Sequence, residues 1–211
     1  MNTNELTSKI AATITERMNR SDKPVPVGIS NRHIHVSESD FKVLFGDGSK
    51  LTVKKDLSQP AQYACEEVIT LEGPKGKIDK VRILGPFRPQ TQVEVSVSDA
   101  VKLGCMPPVR DSGKLAGTPG LKVTGPKGAI DLPGGVIIAK RHIHMTVADA
   151  AALNVKDGEL VRVRAGAGND RELVFEQVLC RVSDKFALEA HFDIEEANAA
   201  MLKNGDKVFV V

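Results

Sequence analysis

The reading of this chain turns on two stretches, "SNRHIHVSESD" at residues 30–40 and "AKRHIHMTVAD" at residues 139–149. The protein has 211 residues and five histidines, and four of these stand in the two copies of Arg-His-Ile-His: His33, His35, His142 and His144. Alternate side chains of a β-strand share a face, so each His-x-His presents two imidazoles on one side. The runs upstream, "VPVGIS" and "GGVIIA", are rich in Val and Ile. Each reads as one strand continuing into its histidines. Downstream, Ser37 with Asp40 and Thr146 with Asp149 have capping-box spacing, with Asp in place of the usual Glu or Gln. Both strands therefore run into a helix start.

The repetition extends further. "TQVEVSVSDAVKLG" at residues 91–104 reads as a strand and then a helix capped at Ser96. "LEAHFDIEEANAAML" at residues 188–202 has the same form, capped at Asp193. Aligning the two caps sets Glu94 against His191. At all four strand–helix junctions a metal-ligating side chain stands two residues before the cap: His35, Glu94, His144 and His191.

The chain thus reads as a duplicated unit. The expected fold is mainly β with short helices, as two β-barrel domains from an internal duplication, the helices capping the barrels. The expected division is an N-terminal helix and linker over 1–22, a first barrel half over 23–110 and a second over 111–211, with exchange of strands between halves left open. "GPKG" recurs at 73–76 and 125–128 and reads as a hairpin turn more readily than as a phosphate-binding lysine.

Two ligand sets follow: His33, His35 and Glu94 for one ion, and His142, His144 and His191 for another. Together they employ all five histidines. Neutral imidazole suits Zn, Cu, Fe, Ni or Co, and three protein ligands leave a position open, as in catalytic sites. Zn is the economical choice for nitrogen and oxygen ligands without redox chemistry.

Composition narrows the partners. A net charge of +2 makes no case for nucleic acid. No apolar run approaches the ~20 residues of a membrane span, and the N-terminus lacks a signal-peptide core. Cys65, Cys105 and Cys180 are odd in number with no Cys-x-x-Cys, which argues for a reducing, cytoplasmic setting and inert thiols. Residues 1–20 carry Leu6, Ile10, Ala11, Ile14 and Met18 at helical spacing. Such a helix packs on the body, pairs with a neighbouring subunit in a homo-oligomer, or docks elsewhere.

The segments "GISNRHIHVS", "LGPFRPQTQVEVS", "PPVRDSG" and "IIAKRHIHM" resemble the phosphate propanoyltransferases, the PduL-type phosphotransacylases, from about Val25 to Val211. The resemblance implies exchange of acyl-CoA and phosphate with acyl phosphate and free CoA. It also implies a two-barrel fold with a dinuclear metal site, usually zinc, held by the six ligands named above. Arg88, in "GPFRPQTQVE", is then the catalytic arginine. The resemblance further admits a location inside a bacterial microcompartment, with residues 1–20 docking to the shell, and a part in propanediol degradation.

On its own, Arg88 beside a proline turn reads equally well as a surface residue. Lys185 stands at its place in the second repeat. Arg32 and Arg141 alternate away from the histidines and read as supporting or surface residues. Arg110 and Asp111 suit either a CoA contact or a structural loop. No P-loop pattern is present, so CoA is held otherwise. A metal-dependent hydrolase is the main rival, although such enzymes are often barrels of ~250 residues without a two-copy pattern. A non-enzymatic module stapled by metals needs closed four-ligand sites.

Overall fold

The computed structural model describes residues 2–211, the side chains of residues 12, 13 and 16–21 excepted, so Met18 lies outside the described side chains. In chain order the elements are α1 (Thr3–Ser21), β1 (Pro24–Ser30), β2 (His33–His35), α2 (Glu38–Phe45), β3 (Val53–Asp56), β4 (Tyr63–Glu72), β5 (Lys77–Gly85), β6 (Gln92–Glu94), α3 (Val97–Leu103) and β7 (Val109–Arg110). They continue with β8 (Lys122–Thr124), β9 (Ala129–Asp131), β10 (Val136–Ala139), β11 (His142–Met145), α4 (Val147–Leu153), β12 (Leu160–Ala165), β13 (Leu173–Val182), β14 (Glu189–Asp193), α5 (Ile194–Ala199) and β15 (Lys207–Val210). The protein is mainly β with short helices, as expected.

Two compact units result. One joins the segment ending at Ser30 to Arg141–Val211. Its strands close into a barrel in the order β1-β14-β11-β13-β12-β15. Val25, Val27, Ile143, Met145, Val163, Phe192, Val208 and Val210 fill the interior. Branched aliphatic side chains suit this small bore, because they pack well on a pleated surface and lose little rotamer freedom there.

The other unit, Asn31–Lys140, is a curled sheet in the order β7-β10-β6-β2-β5-β4-β8-β9, with β3 paired to β4. Ile34, Phe41, Leu71, Ile83, Val93, Val123 and Val136 form its core. Both Gly-Pro-Lys-Gly segments are hairpin turns, closed by Gly73 N–H to Gly76 O and by Gly125 N–H to Gly128 O, each at 2.9 Å. Each turn also caps a helix: Lys75 N–H donates to Leu103 O and Lys127 N–H to Leu44 O, each at 3.0 Å. A Cβ on Gly73 would lie 2.3 Å from Leu103 O, and one on Gly125 2.5 Å from Leu44 O. Close approach of turn to helix end therefore selects glycine there.

All four expected caps form, at Ser37, Ser96, Thr146 and Asp193. Three are reciprocal boxes. At Ser37 the return bond is relayed: Ser37 N–H donates to Thr91 Oγ1, whose hydroxyl donates to Asp40.

The structure corrects one expectation. Each segment read as a single strand through its histidines is two strands, β1 then β2, and β10 then β11, broken at Asn31–Arg32 and Lys140–Arg141. Each break passes the chain from one sheet to the other: β1 pairs with β14 and β15, whereas β2 pairs with β5 and β6. At the first break Asn31 folds on itself, its Oδ1 accepting from Arg32 N–H at 2.8 Å, a local side-chain bond that competes with strand pairing. Helix α1 forms as expected, with Leu6, Ile10 and Ile14 at 44, 50 and 52% exposure. Among the described residues no helix is long and apolar enough to cross a membrane.

Candidate metal centre

Strand β2 lies parallel to β5 and antiparallel to β6. Its register sets His33 opposite Glu94 and His35 opposite Gln92. Ile34 is fully buried in the core, so alternation turns both imidazoles to the other face. There His33, His35 and Glu94 meet, all buried, with their ligating atoms within 4.8 Å of one another.

The other unit repeats this arrangement. Strand β11 runs antiparallel to β14, with His142 opposite His191 and His144 opposite Glu189. Ile143 is buried in the barrel, and His142, His144 and His191 gather with the same 4.8 Å limit. The upstream strands agree: Gly28 of β1 registers on His191 and Ile137 of β10 on Glu94, at the same distance before their respective histidines. Strand register thus sets Glu94 against His191, the alignment that the helix caps give.

The rings of the first triad are oriented from behind. A backbone carbonyl only accepts, so His33 Nδ1–H donates to Asn31 O at 2.8 Å and His35 Nδ1–H to Leu84 O at 3.1 Å. Nε2 of His33 then faces Glu94 Oε2 at 3.5 Å. Burial opposes a charge on His33, but the Glu94 carboxylate outweighs it and raises the pKa. Burial likewise opposes ionised Glu94, yet His33, His35 and Arg88 hold its carboxyl well below the usual range. His35 is pushed down to about 3, by burial first and then by the charges of His33 and Arg88. It is a neutral imidazole, the form that ligates metals.

The second triad is built differently. His142 and His191 stack with centroids 4.8 Å apart and planes 2° from parallel. His144 Nδ1 lies 3.2 Å from His191 Nε2, which also faces Glu189 Oε2 at 3.0 Å. Burial, then the charges of His142 and His191, lowers the pKa of His144 to about 2. Both triads therefore suit a divalent cation: nitrogen donors face one another, at least one ring in each is held neutral, and carbonyls fix the ring orientation in the first.

Around each triad an arginine ties two elements together. Arg32 Nη1 lies 2.7 Å from Asp99 Oδ1, and Arg141 Nη1 2.6 Å from Glu196 Oε1. Asp99 and Glu196 close the capping boxes of α3 and α5. Each arginine therefore links a His-x-His strand to the helix that follows the third triad residue.

Arg88 sits in the loop between β5 and β6. Its N–H donates to Val36 O at 2.9 Å, just beyond His35, and its Nη1 donates to Ser112 Oγ at 2.9 Å. Lys185 is exposed. Arg110 is exposed and Asp111 pairs with Lys114 at 2.7 Å. Of the thiols, Cys65 and Cys180 are buried and Cys105 half-buried; burial pushes Cys65 up to about 11, the state of an inert thiol. Gln92 and Ser112 are not singled out by the sequence pattern, though both stand in the resemblance segments. The available signal was period two, which puts Gln92 on the face of Glu94.

The family model for phosphate propanoyltransferase matches residues 26–203. A phosphate propanoyltransferase of Thermotoga maritima is 54% identical over 192 residues, 91% of this chain and 91% of that protein. Those of Salmonella typhimurium and Priestia megaterium are 50 and 47% identical, covering 86 and 93% of this chain and 86 and 91% of theirs. The matched span includes both His-x-His strands and both partner strands, and the chain belongs to the phosphate propanoyltransferase family of acyltransferases.

Proposed function

We propose that this protein interconverts propanoyl-CoA or acetyl-CoA plus phosphate with the acyl phosphate plus CoA, using two divalent ions, one on each triad, with zinc as the metal. The observation that carries this reading is the pair of matched three-residue clusters in a chain of this family. In the forward direction a phosphate oxygen attacks the thioester carbonyl, the C–S bond breaks, and CoA leaves as thiolate and takes up a proton. Bound ions supply Lewis-acid charge that offsets the two anionic reactants and the developing oxyanion.

The chain's own residues do the rest. Arg88, a planar fork of donors tethered beside His35, suits phosphate oxygens or the oxyanion of the tetrahedral intermediate. His35 and His144, held neutral by burial, present lone pairs rather than protons.

The test is to incubate metal-analysed protein with propanoyl-CoA, with and without phosphate, following free CoA and propanoyl phosphate. Phosphate-dependent formation of both, with two ions per chain, is the expected result. CoA release without phosphate identifies a thioesterase instead. No release from a metal-loaded chain makes the triads structural staples.

Helix α1 we read as a docking helix for a microcompartment shell, supported by the half-exposed row Leu6, Ile10 and Ile14. Deleting residues 1–20 should abolish co-sedimentation with shell protein and leave turnover intact. Unchanged co-sedimentation removes this role, and a change in molecular mass alone makes α1 a self-association helix.

A further inference from the structure

We propose that Gln92 is a positioning residue that fixes the Glu94 carboxylate for its metal and couples it to Arg88; the inference rests on the two-ion reading above. Gln92 is 1% exposed and lies in the center of a closed hydrogen-bond set. Its Nε2 donates to Glu94 Oε1 at 2.6 Å and to Ser112 Oγ at 2.8 Å, and its Oε1 accepts from Gly113 N–H at 2.7 Å. The partners fix which end of the amide is which: a carboxylate accepts only and a backbone N–H donates only.

Two consequences follow. With Glu94 Oε1 held by the amide, Oε2 is the oxygen turned to His33 and to the cluster, so Gln92 selects one-oxygen ligation. Ser112 Oγ accepts from Gln92 and from Arg88 at 2.9 Å, which occupies both lone pairs. One short chain of bonds then runs from the carboxylate through amide and hydroxyl to the guanidinium. All of it lies within one unit.

The duplication supplies independent support. Gln92 stands opposite His35 just as Glu189 stands opposite His144. In each half this position is buried, polar and in contact with the third member of the triad: amide to carboxylate at 2.6 Å, carboxylate to imidazole at 3.0 Å. The residue types are inverted, so each group of four carries a single carboxylate, Glu94 in one and Glu189 in the other. A packing residue would have no reason to change from amide to acid as its neighbour changes from acid to imidazole.

Gln92→Met is nearly isosteric and removes all three bonds. Cobalt-loaded wild type, His33→Ala and Gln92→Met proteins are compared by visible spectrum and by chelator competition, beside turnover and Tm. Expected for Gln92→Met is a weakening of one of the two cobalt equivalents by about 10- to 100-fold, the range for lost partners of a metal ligand. The affected bands should be those missing in His33→Ala, and kcat should fall more than KM changes. A lowered Tm with unchanged spectrum and unchanged competition makes Gln92 merely structural and overturns the inference. Wild type without two cobalt equivalents overturns the metal reading, and this inference with it. If Gln92→Met fails to fold, Gln92→Asn keeps an amide but falls short of Glu94, and the same loss of one equivalent decides the matter.

Discussion

The two triads share a frame and differ in charge and burial. In both, a His-x-His strand lies antiparallel to the strand bearing the third residue, with an arginine clamped to the following helix cap. The first triad, His33, His35 and Glu94, is buried throughout and contains its own carboxylate. In the second, His142 and His191 are partly exposed, all three members are imidazoles, and the acid stands behind as Glu189. The two halves share a strand geometry, and their different side chains set different electrostatics. A buried ionised ligand favours tight retention of a cation, whereas an open imidazole triad favours exchange.

The largest effects test the equivalence. Glu94→Ala and His191→Ala should each remove one of two metal equivalents and bring phosphate-dependent CoA release to background, as read by metal analysis and an acyl-phosphate assay. Retention of both ions in either variant breaks the pairing. Next comes the functional asymmetry. Arg88→Ala should keep both ions and lower turnover by ~10²-fold or more, in line with loss of an oxyanion donor. Lys185→Ala, at the matching place in the other half, should leave turnover near normal. Equal losses in the two variants would place both positions in the chemistry. A milder test is the order of metal release: under a chelator the ion on His142, His144 and His191 should leave first, followed by metal content in Glu94→Ala and His142→Ala proteins. Simultaneous loss would mean that charge and burial do not separate the sites.

Much of this was legible because local rules govern it. Period two put His33 with His35, and capping signals fixed four helix starts. The same caps aligned Glu94 with His191 before any register was known. What stayed hidden depends on contacts distant in sequence. Asn31 and Lys140 are poor strand formers, but a weak residue alone does not report that the chain leaves one sheet there and enters another, which depends on pairing with strands distant in sequence. Ser112 joins Arg88 and Gln92 only because a loop folds back over β6, and a serine in a turn carries no sign of that. Glu189 gave no signal either, because the third ligand differs between halves and masks the matching role of the residue two places before it.

The smallest effect concerns the frame itself. Arg32 and Arg141 occupy the same place before each His-x-His, and each reaches the acid that closes the cap of the helix after the third triad residue, α3 or α5. Arg32 is 38% exposed against a 9% exposed Asp99, and Arg141 29% against a 20% exposed Glu196, so solvent screens both pairs in part. Arg32→Ala and Arg141→Ala should therefore each cost about 1 kcal/mol, which lowers Tm by about 2–4 °C in a chain of this size. The side-chain bonds of Arg32 and Arg141 go to Asp99, Glu196 and Glu176 O rather than to the proposed ligands, so metal content should persist while turnover falls only modestly, as the third triad residue's strand loosens against the histidines. Equal thermal shifts would show that the frame bears the same load in both halves. A turnover loss confined to Arg32→Ala would place the sensitivity of catalysis at Glu94, the proposed ligand that has Gln92 bonded to it and Arg88 linked through Ser112.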